Sequence, residues 1–436
     1  MTTQTRVRVR PDQGLQGETF LPGDKSISHR ALMLGALAEG TSQIQGFLPA
    51  GDTHATLACI EALGVRITRH SPTELSVHGV GLDGLEQAAA PLNCINAGTA
   101  IRLLAGILAG QPFPSVLDGS PQLRRRPMRR VTEPLRMMGA DIEDTDGHAP
   151  LYINNAFLNG ITYRLPVASA QIKSCVLLAG LFAEGTTAVI EPGPARDHTE
   201  RMLRAMGATV ENMGETIMLT PPDSLQPLNM MIPGDISSAA FLLVAGAMCA
   251  DGDFSLRHVG TNPTRTGILD ALSQMGTTIQ RQATHEEGGE PVADLIVQSG
   301  PLRGIDIGGD LVVRMIDEFP VLMVAATQAQ GRTSVVGAHE LRVKETDRLA
   351  VMTAELRKLG ANIRETDDGF EISGPQVLHG AVVNGHDDHR VAMSLVVAGL
   401  VAMEETLVED ASCIADSFPG FIETLQSLGA DVQWVD

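Results

Sequence analysis

The chain has 436 residues and a formal net charge of −20, and 43% of its residues are hydrophobic but only 3% aromatic. This acidity excludes nucleic acid and anionic membranes as general partners, because both would repel it. The five cysteines contain no C-x-x-C pair and residues 1–10 form no apolar leader, which predicts reduced thiols and a cytoplasmic protein. The longest apolar stretch, Ala239–Ala250, is too short to span a bilayer.

The first predicted unit pairs a buried helix with an amphipathic one. Ala31–Ala38 is apolar on every face, which predicts a helix that is buried all round. Ser42–Phe47 alternates apolar and polar residues, as a strand does. Asp52-Thr53 is predicted to cap a second helix that ends at Gly64.

The Leu-Gly or Met-Gly phrase at the end of that second helix recurs along the whole chain. Its glycines are Gly64, Gly139, Gly207, Gly276, Gly360 and Gly429. Successive glycines lie 68 to 84 residues apart, a period typical of one supersecondary unit, so the chain is predicted to contain six copies of one module. A break near Asn229–Gly234 falls midway and favours two similar domains of three units each.

The six predicted buried helices open with polar residues that differ from unit to unit. These openings are residues 24–26, 96–99, 169–171, 235–238, 317–318 and 387–389. A helix amino terminus attracts anions through its unpaired N–H groups and its partial positive charge. A purely structural repeat protein would be expected to repeat these positions, so their variation favours binding or catalysis.

Lysines and arginines cluster near several of these openings. Those at the openings are Lys25, Arg30, Arg102, Lys173 and Arg390, whereas Arg126 lies in a separate Gly/Ser/Pro loop and Lys344 and Arg348 lie at the start of an amphipathic helix. Lys344 and Arg348 are predicted to share one face of a helix that begins near Lys344. Each cluster alone fits a surface ion pair, but their recurrence predicts a small ligand, or two, carrying phosphates or carboxylates.

Two further motifs resemble ligand-binding or metal-binding patterns, but neither predicts a site. Gly79–Gly84 matches G-x-G-x-x-G, but Pro91 prevents a long helix from following it, so a turn is predicted. His386–His389 has metal-ligand residue types, yet adjacent residues do not share a helix face and no partner motif is visible. We therefore expect no metal site.

Five strings together resemble the EPSP synthase family of enolpyruvyl transferases. They are Leu21–Arg30, Asn96–Arg102, Arg126-Pro127, Arg342–Arg348 and Asp387–Arg390. The resemblance implies an α/β enolpyruvyl transferase fold, with two domains that each contain three βαβαββ units around pseudo-threefold symmetry. It places one domain at 22–233 and the other at 1–21 plus 234–436, with a hinge near 21–23 and 229–235.

The resemblance also implies a reaction. The family transfers the enolpyruvyl group of phosphoenolpyruvate to the 5-hydroxyl of shikimate 3-phosphate and releases phosphate, by addition and elimination. It uses neither a metal nor an organic cofactor. Members are inhibited by the anion glyphosate, and we expect a monomer.

Site residues follow from the matching positions. Those implied for shikimate 3-phosphate are Lys25, Ser26, Arg30, Ser169, Ala170, Gln171, Arg196, Asp317 and Lys344. Those implied for phosphoenolpyruvate are Lys25, Gly98, Arg126, Gln171, Arg348 and Arg390. As catalytic residues the resemblance implies Lys25, which contacts both substrates, Asp317, which accepts the 5-hydroxyl proton, and Glu345, which exchanges protons with the methylene carbon.

The chain departs from the family pattern at two places. Many members have Ser-Ser-Gln where this chain has Ala170 between Ser169 and Gln171, so one hydroxyl for the phosphate is lost. Lys173 or Arg196 could replace it. Some members carry a lysine where this chain has Asp416, so that cationic contact to phosphoenolpyruvate is not expected here.

Two alternatives stay open. The sister transferase that acts on UDP-N-acetylglucosamine shares the fold, but it has Lys-Asn where this chain has Lys25-Ser26, and its loop carries a cysteine absent from Gly119–Arg130. A non-catalytic binder of phosphorylated metabolites is the other alternative, and the presence of Asp317 and Glu345 disfavours it.

Overall fold

The computed structural model describes residues 5–11 and 14–436, with only the backbone described at 250–253. Short helices and strands alternate throughout. The α-helices of the described chain are α1 (Lys25–Leu37), α2 (Gly51–Ala62), α3 (Gly98–Leu108), α4 (Pro121–Arg124), α5 (Arg129–Met137), α6 (Ala170–Gly180), α7 (His198–Ala205), α8 (Ile236–Cys249), α9 (Gly267–Gln274), α10 (Asp310–Arg314), α11 (Phe319–Gln328), α12 (Arg348–Lys358), α13 (His389–Leu400) and α14 (Phe421–Ser427). Two 3₁₀ helices span His339–Val343 and Ser412–Asp416.

The strands are equally short. They are β1 (Arg6–Val9), β2 (Leu15–Phe20), β3 (Glu39–Gln45), β4 (Arg66–Ser71), β5 (Glu74–Val80), β6 (Leu92–Asn93), β7 (Ser115–Asp118), β8 (Asp141–Thr145), β9 (His148–Asn154), β10 (Leu158–Asn159), β11 (Thr162–Arg164), β12 (Ala183–Glu184), β13 (Thr187–Ile190), β14 (Thr209–Met213), β15 (Thr216–Thr220), β16 (Met230–Met231), β17 (Ala250–Gly260), β18 (Thr278–Glu287), β19 (Glu290–Gln298), β20 (Asp306–Ile307), β21 (Gly331–Val335), β22 (Ile363–Thr366), β23 (Gly369–Gly374), β24 (Val382–Asn384), β25 (Thr406–Glu409) and β26 (Val432–Val435).

Six four-stranded sheets share one topology. In each, a leading strand runs parallel to the second strand, and the third runs antiparallel to the second. The sheets have the strand orders β16-β3-β5-β4, β6-β7-β9-β8, β11-β13-β15-β14, β2-β17-β19-β18, β20-β21-β23-β22 and β24-β25-β1-β26. The predicted six-fold repeat is confirmed.

The chain divides into two compact units. The first unit comprises Gly23–Pro233 and Glu286–Glu290, and the second comprises the described residues up to Pro22 with Gly234–His285 and Pro291–Asp436. Each unit has a hydrophobic core of its own, built from three of the six sheets and the helices packed on them.

Each unit also contains three helices that are buried almost all round. They are α1, α3 and α6 in the first unit and α8, α11 and α13 in the second. All six begin at or just after the polar openings predicted from the sequence. Side chains cap four of them: Asp24 accepts from the Ile27 amide, Ser169 from the Ile172 amide, Asp235 from the Ser237 amide and Asp388 from the Arg390 amide.

The glycines of the repeated phrase reverse the chain after the second helix of each unit. All six have φ between 87° and 103°, in the left-handed region that other residues rarely adopt. The phrase therefore ends helices, as predicted.

Two local predictions are wrong. The residue that caps α2 is Ala50 rather than Asp52 or Thr53, because the Thr53 hydroxyl lies inside the first turn and bonds back to the Ala50 amide and the Leu48 carbonyl. Helix α12 begins at Arg348 rather than near Lys344, because the Asp347 carboxylate accepts from the Ala350 amide and caps the helix there.

The predicted turn over Gly79–Gly84 is confirmed, since β5 ends at Val80 and the next helix begins only at Gly98. Among the described residues, no helix is both long enough and apolar enough to cross a membrane.

Candidate active site

The amino terminus of α1 carries the first predicted cation. Lys25 is the first residue of the helix, and its Nζ lies 3.1 Å from Oδ2 of Asp52 on α2. Both side chains stay partly open to solvent. An anion that approaches this helix end meets the ammonium together with the positive end of the helix dipole.

Gly98 and Arg126 form a close pair at the start of α3. A Cβ atom at position 98 would lie 2.5 Å from Nη1 and 2.9 Å from Cζ of Arg126, and 3.3 Å from Nη1 of Arg102. Only glycine lets the two guanidinium groups lie this close to the helix terminus. Two cations and the helix dipole therefore converge at one point.

Gln171 links α3 to α6. Its Oε1 accepts from Nη1 of Arg102, and its Nε2 donates to the Thr99 hydroxyl at 3.0 Å. A second nitrogen of Arg102 donates to the Pro127 carbonyl, 3.3 Å away, just after Arg126. The amino ends of α3 and α6 and the Arg126 loop are thus held by one hydrogen-bond network.

Arg30 is buried one turn along α1. Its Nε donates to the Thr199 hydroxyl at 2.7 Å, Nη2 to the Ser174 hydroxyl at 2.8 Å and Nη1 to the Ser26 carbonyl at 2.9 Å. Burial lowers the pKa of Arg30 to about 10. The side chain remains a cation at neutral pH, with its orientation fixed by residues of α6 and α7.

Lys173 is buried on α6, where protein oxygens enclose its ammonium. Its Nζ lies 2.7 Å from Oε1 of Glu200 and 2.9 Å from Oε1 of Glu191, and donates to the Ala195 carbonyl at 3.2 Å. An ammonium has three N–H donors, which these three oxygens match. Of the two candidates for the missing hydroxyl, Arg196 is therefore the better placed, because it is only partly buried.

The second unit holds a separate cluster around Asp317. Its Oδ1 lies 3.4 Å from Nη1 of Arg348 and 3.6 Å from Nζ of Lys344, and its Oδ2 lies 3.6 Å from Nη2 of Arg390. Arg390 also donates to the Asp317 backbone carbonyl at 3.3 Å. Three cationic side chains thus converge on one carboxylate, and guanidinium and ammonium groups are the types that bind phosphate and carboxylate anions.

Arg348 is the buried centre of this cluster. Asp388 accepts from its Nε at 2.9 Å and from its Nη2 at 3.2 Å, and Glu345 accepts from Nη2 at 2.6 Å. Burial by itself would lower the pKa of Arg348, but the carboxylates of Asp388, Glu345 and Asp317 hold that pKa above its ordinary value. The guanidinium is therefore a fixed positive charge.

The predicted site residues thus fall into two groups. Lys25, Ser26, Arg30, Gly98, Arg126, Ser169, Ala170, Gln171 and Arg196 lie in the first unit, and Asp317, Lys344, Glu345, Arg348 and Arg390 lie in the second. Asp416, where some relatives have lysine, ends a 3₁₀ helix of the second unit. Within residues 5–11 and 14–436, no group of three or more His, Cys, Asp or Glu residues is placed to hold a metal ion.

The side chains that orient these cations were not predicted. Thr199, Ser174, Glu200 and Asp388 bond to Arg30, Lys173 or Arg348, yet most come from distant parts of the chain. Buried cations require buried partners, but no sequence signal pairs them.

Comparison with known proteins settles the family. The EPSP synthase (3-phosphoshikimate 1-carboxyvinyltransferase) family matches residues 9–425. The chain belongs to the EPSP synthase family. A 3-phosphoshikimate 1-carboxyvinyltransferase of Acidithiobacillus ferrooxidans is 51% identical over 425 residues, covering 98% of each chain. One of Desulforudis audaxviator is 52% identical over 424 residues, covering 97% of this chain and 99% of the relative.

A solved structure of the same family agrees in fold. EPSP synthase from Acinetobacter baumannii superposes with a TM-score of 0.89 at 43% identity, covering 98% of this chain and 99% of that one. The expected enolpyruvyl transferase fold is confirmed.

Proposed function

We propose that this EPSP synthase family member transfers the enolpyruvyl group of phosphoenolpyruvate to the 5-hydroxyl of shikimate 3-phosphate and releases phosphate. The observation that carries the proposal is the Asp317 carboxylate with Arg348 at 3.4 Å and Lys344 and Arg390 each at 3.6 Å. It combines a proton acceptor with cations that attract phosphate and carboxylate groups.

In the first unit, the cations and helix ends bind the two anions. Lys25, Ser26, Arg30, Ser169, Ala170, Gln171 and Arg196 hold shikimate 3-phosphate. Lys25, Gly98, Arg126 and Gln171 hold phosphoenolpyruvate. The support is local: Arg126 lies against the Gly98 helix terminus, and Gln171 bonds both Arg102 and Thr99.

In the second unit, Arg348 and Arg390 bind phosphoenolpyruvate and Lys344 binds shikimate 3-phosphate. Guanidinium groups form paired hydrogen bonds to carboxylates and phosphates, whereas an ammonium acts as a point charge. Because Asp388 and Glu345 already orient Arg348, little reorganisation is needed when an anion arrives.

The addition step needs two proton transfers, one from the 5-hydroxyl and one to the methylene carbon. In the addition step, Asp317 accepts the 5-hydroxyl proton as that oxygen bonds to C2 of phosphoenolpyruvate, while Glu345 supplies a proton to the methylene carbon. In the elimination step, the Glu345 carboxylate takes a proton back from that carbon, the bond between C2 and the phosphate oxygen breaks, phosphate leaves with that electron pair and the enol double bond reforms. Fixed cations stabilise the negative charge throughout.

The two chain crossings between the units act as a hinge near residues 21–23 and 229–235 in this proposal. In the second unit the Asp235 amide donates to the Pro22 carbonyl at 3.0 Å, and in the first unit the Asp24 amide donates to the Pro233 carbonyl at 2.8 Å. Small-angle scattering tests the hinge: we expect the radius of gyration to fall on addition of shikimate 3-phosphate, and an unchanged radius would contradict it.

Three finer properties complete the proposal. Glyphosate, as an anion, occupies the phosphoenolpyruvate region beside Gly98 and inhibits the enzyme. The chain works in the cytoplasm, in keeping with its five buried thiols. It is a monomer. Light scattering after size exclusion should give the mass of one chain, and a mass of two chains would contradict this.

The proposed substrates are tested by titration calorimetry. Shikimate 3-phosphate should bind the wild-type chain saturably, and UDP-N-acetylglucosamine should give no binding heat. Binding of UDP-N-acetylglucosamine without binding of shikimate 3-phosphate would instead identify the chain as the sister transferase.

A further inference from the structure

The loop that precedes α7 is held to α6 by one buried lysine. The loop covers residues 191–197 and contains Arg196, the proposed ligand of the shikimate 3-phosphate phosphate group. Lys173, only 1% exposed, contacts both ends of this loop: Glu191 through its carboxylate at 2.9 Å and Ala195 through its carbonyl at 3.2 Å.

Both peptide groups that flank Ala195 are fixed by this arrangement. The Ala195 amide donates to Oε1 of Glu191 at 3.3 Å, and the Ala195 carbonyl accepts from Lys173. That carbonyl belongs to the same planar peptide unit as the Arg196 nitrogen. Lys173 therefore sets the plane from which the Arg196 side chain starts.

Charge keeps the lysine in place. Burial by itself would lower the pKa of Lys173, but Glu200 and Glu191 more than offset this effect and raise the pKa. Glu200 is fully buried at the start of α7, next to Thr199, which holds Arg30. The ammonium thus stays charged, and its three partner oxygens leave it no donor for a substrate.

We propose that Lys173 is a positioning residue for shikimate 3-phosphate, acting through Arg196 rather than on the substrate. This inference rests on the proposed function, because it assigns Arg196 to the phosphate of that substrate. It adds to the proposed function how Arg196, which takes the place of the missing serine hydroxyl, is held in position.

A double-mutant cycle tests the inference, with the dissociation constant of shikimate 3-phosphate measured by calorimetry and its KM by steady-state kinetics. Arg196→Ala and Lys173→Met should each weaken binding by about tenfold, the effect of one charge-assisted hydrogen bond. The double variant should bind no more weakly than Arg196→Ala alone. The KM for phosphoenolpyruvate should change by less than about twofold in Lys173→Met.

Two further variants guard against a mere loss of folding. Glu191→Gln keeps the Lys173–Glu200 pair while weakening the hold on the loop, so it should fold and bind shikimate 3-phosphate about threefold more weakly. Arg136→Met is the matched control, since Arg136 also bonds a carboxylate and a carbonyl, those of Asp144 and Ile142, in the first unit. It should leave binding unchanged.

The outcomes distinguish a failure of the proposed function from a failure of the role of Lys173. If the wild-type chain does not bind shikimate 3-phosphate, the proposed function fails. If Arg196→Ala weakens binding but Lys173→Met and Glu191→Gln do not, or if the two losses multiply in the double variant, the role of Lys173 is overturned while the function stands.

Discussion

Arg126 lies so close to Gly98 that a methyl group on the glycine would sit 2.5 Å from its Nη1 atom. The space above the amino terminus of α3 is thus taken up by the Arg126 guanidinium.

Gly98→Ala should displace Arg126 and crowd the phosphoenolpyruvate region. We expect the inhibition constant of glyphosate to rise by about tenfold or more and the KM for phosphoenolpyruvate to rise as well, since a charge-assisted contact is disturbed. Gly300→Ala is the control, because a Cβ atom at Gly300 meets no atom within 4 Å. An unchanged inhibition constant in Gly98→Ala would contradict the assignment.

Asp317→Asn should remove the proton acceptor while preserving the shape of the side chain. The expected loss in kcat is about 10²- to 10⁴-fold, the usual contribution of general base catalysis. Asp306→Asn serves for comparison, since Asp306 is exposed and pairs with Arg332 on the surface at 3.3 Å. Should Asp317→Asn keep kcat within tenfold of wild type, another group accepts the proton.

Lys25→Met should nearly abolish turnover without unfolding the chain. The Lys25–Asp52 pair is partly exposed, so its loss should cost no more than about 1 kcal/mol of unfolding free energy. Lys358→Met, which also breaks a lysine–carboxylate pair, should retain activity. Near-normal turnover in Lys25→Met, measured with both substrates saturating, would refute its contact with both.

His29 predicts a pH dependence of stability. Burial lowers the pKa of His29 to about 3, from 6.5 in the unfolded chain. Between these values the unfolded state binds a proton that the folded state does not. The contribution of His29 should therefore lower the free energy of unfolding by about 1.4 kcal/mol per pH unit as the pH drops from about 6 to 4.

Urea unfolding of wild type and His29→Gln between about pH 6 and pH 4 compares how their free energies of unfolding depend on pH. The variant loses the 2.6 Å bond to Thr56 and is expected to be less stable at neutral pH, but its pH profile should be flatter. Equal slopes in the two proteins would show that His29 is protonated in the folded state.

Local patterns predicted the repeat well because each module carries its own signals. An all-apolar segment such as Ala31–Ala38 can only be buried, and a left-handed turn such as that at Gly360 favours glycine. The opening residues of the buried helices were predictable for the same reason, since helix amino termini require caps or ligands.

Tertiary pairing could not be predicted in this way. Lys173 resembled a substrate ligand in the sequence, but Glu191 and Glu200 enclose it because α6 packs beside the loop before α7. Lys344 still lies near Arg348, although through a loop and not through a helix face, since both reach Asp317. Such contacts depend on how separate elements pack, which no single segment encodes.

The central claim is most directly tested by phosphate release from phosphoenolpyruvate, measured with purified wild-type chain and each acceptor in turn. Release should be rapid with shikimate 3-phosphate, absent with UDP-N-acetylglucosamine and slowed about 10²- to 10⁴-fold by Asp317→Asn. Binding of shikimate 3-phosphate without any release of phosphate would contradict the account and leave a non-catalytic binder in its place.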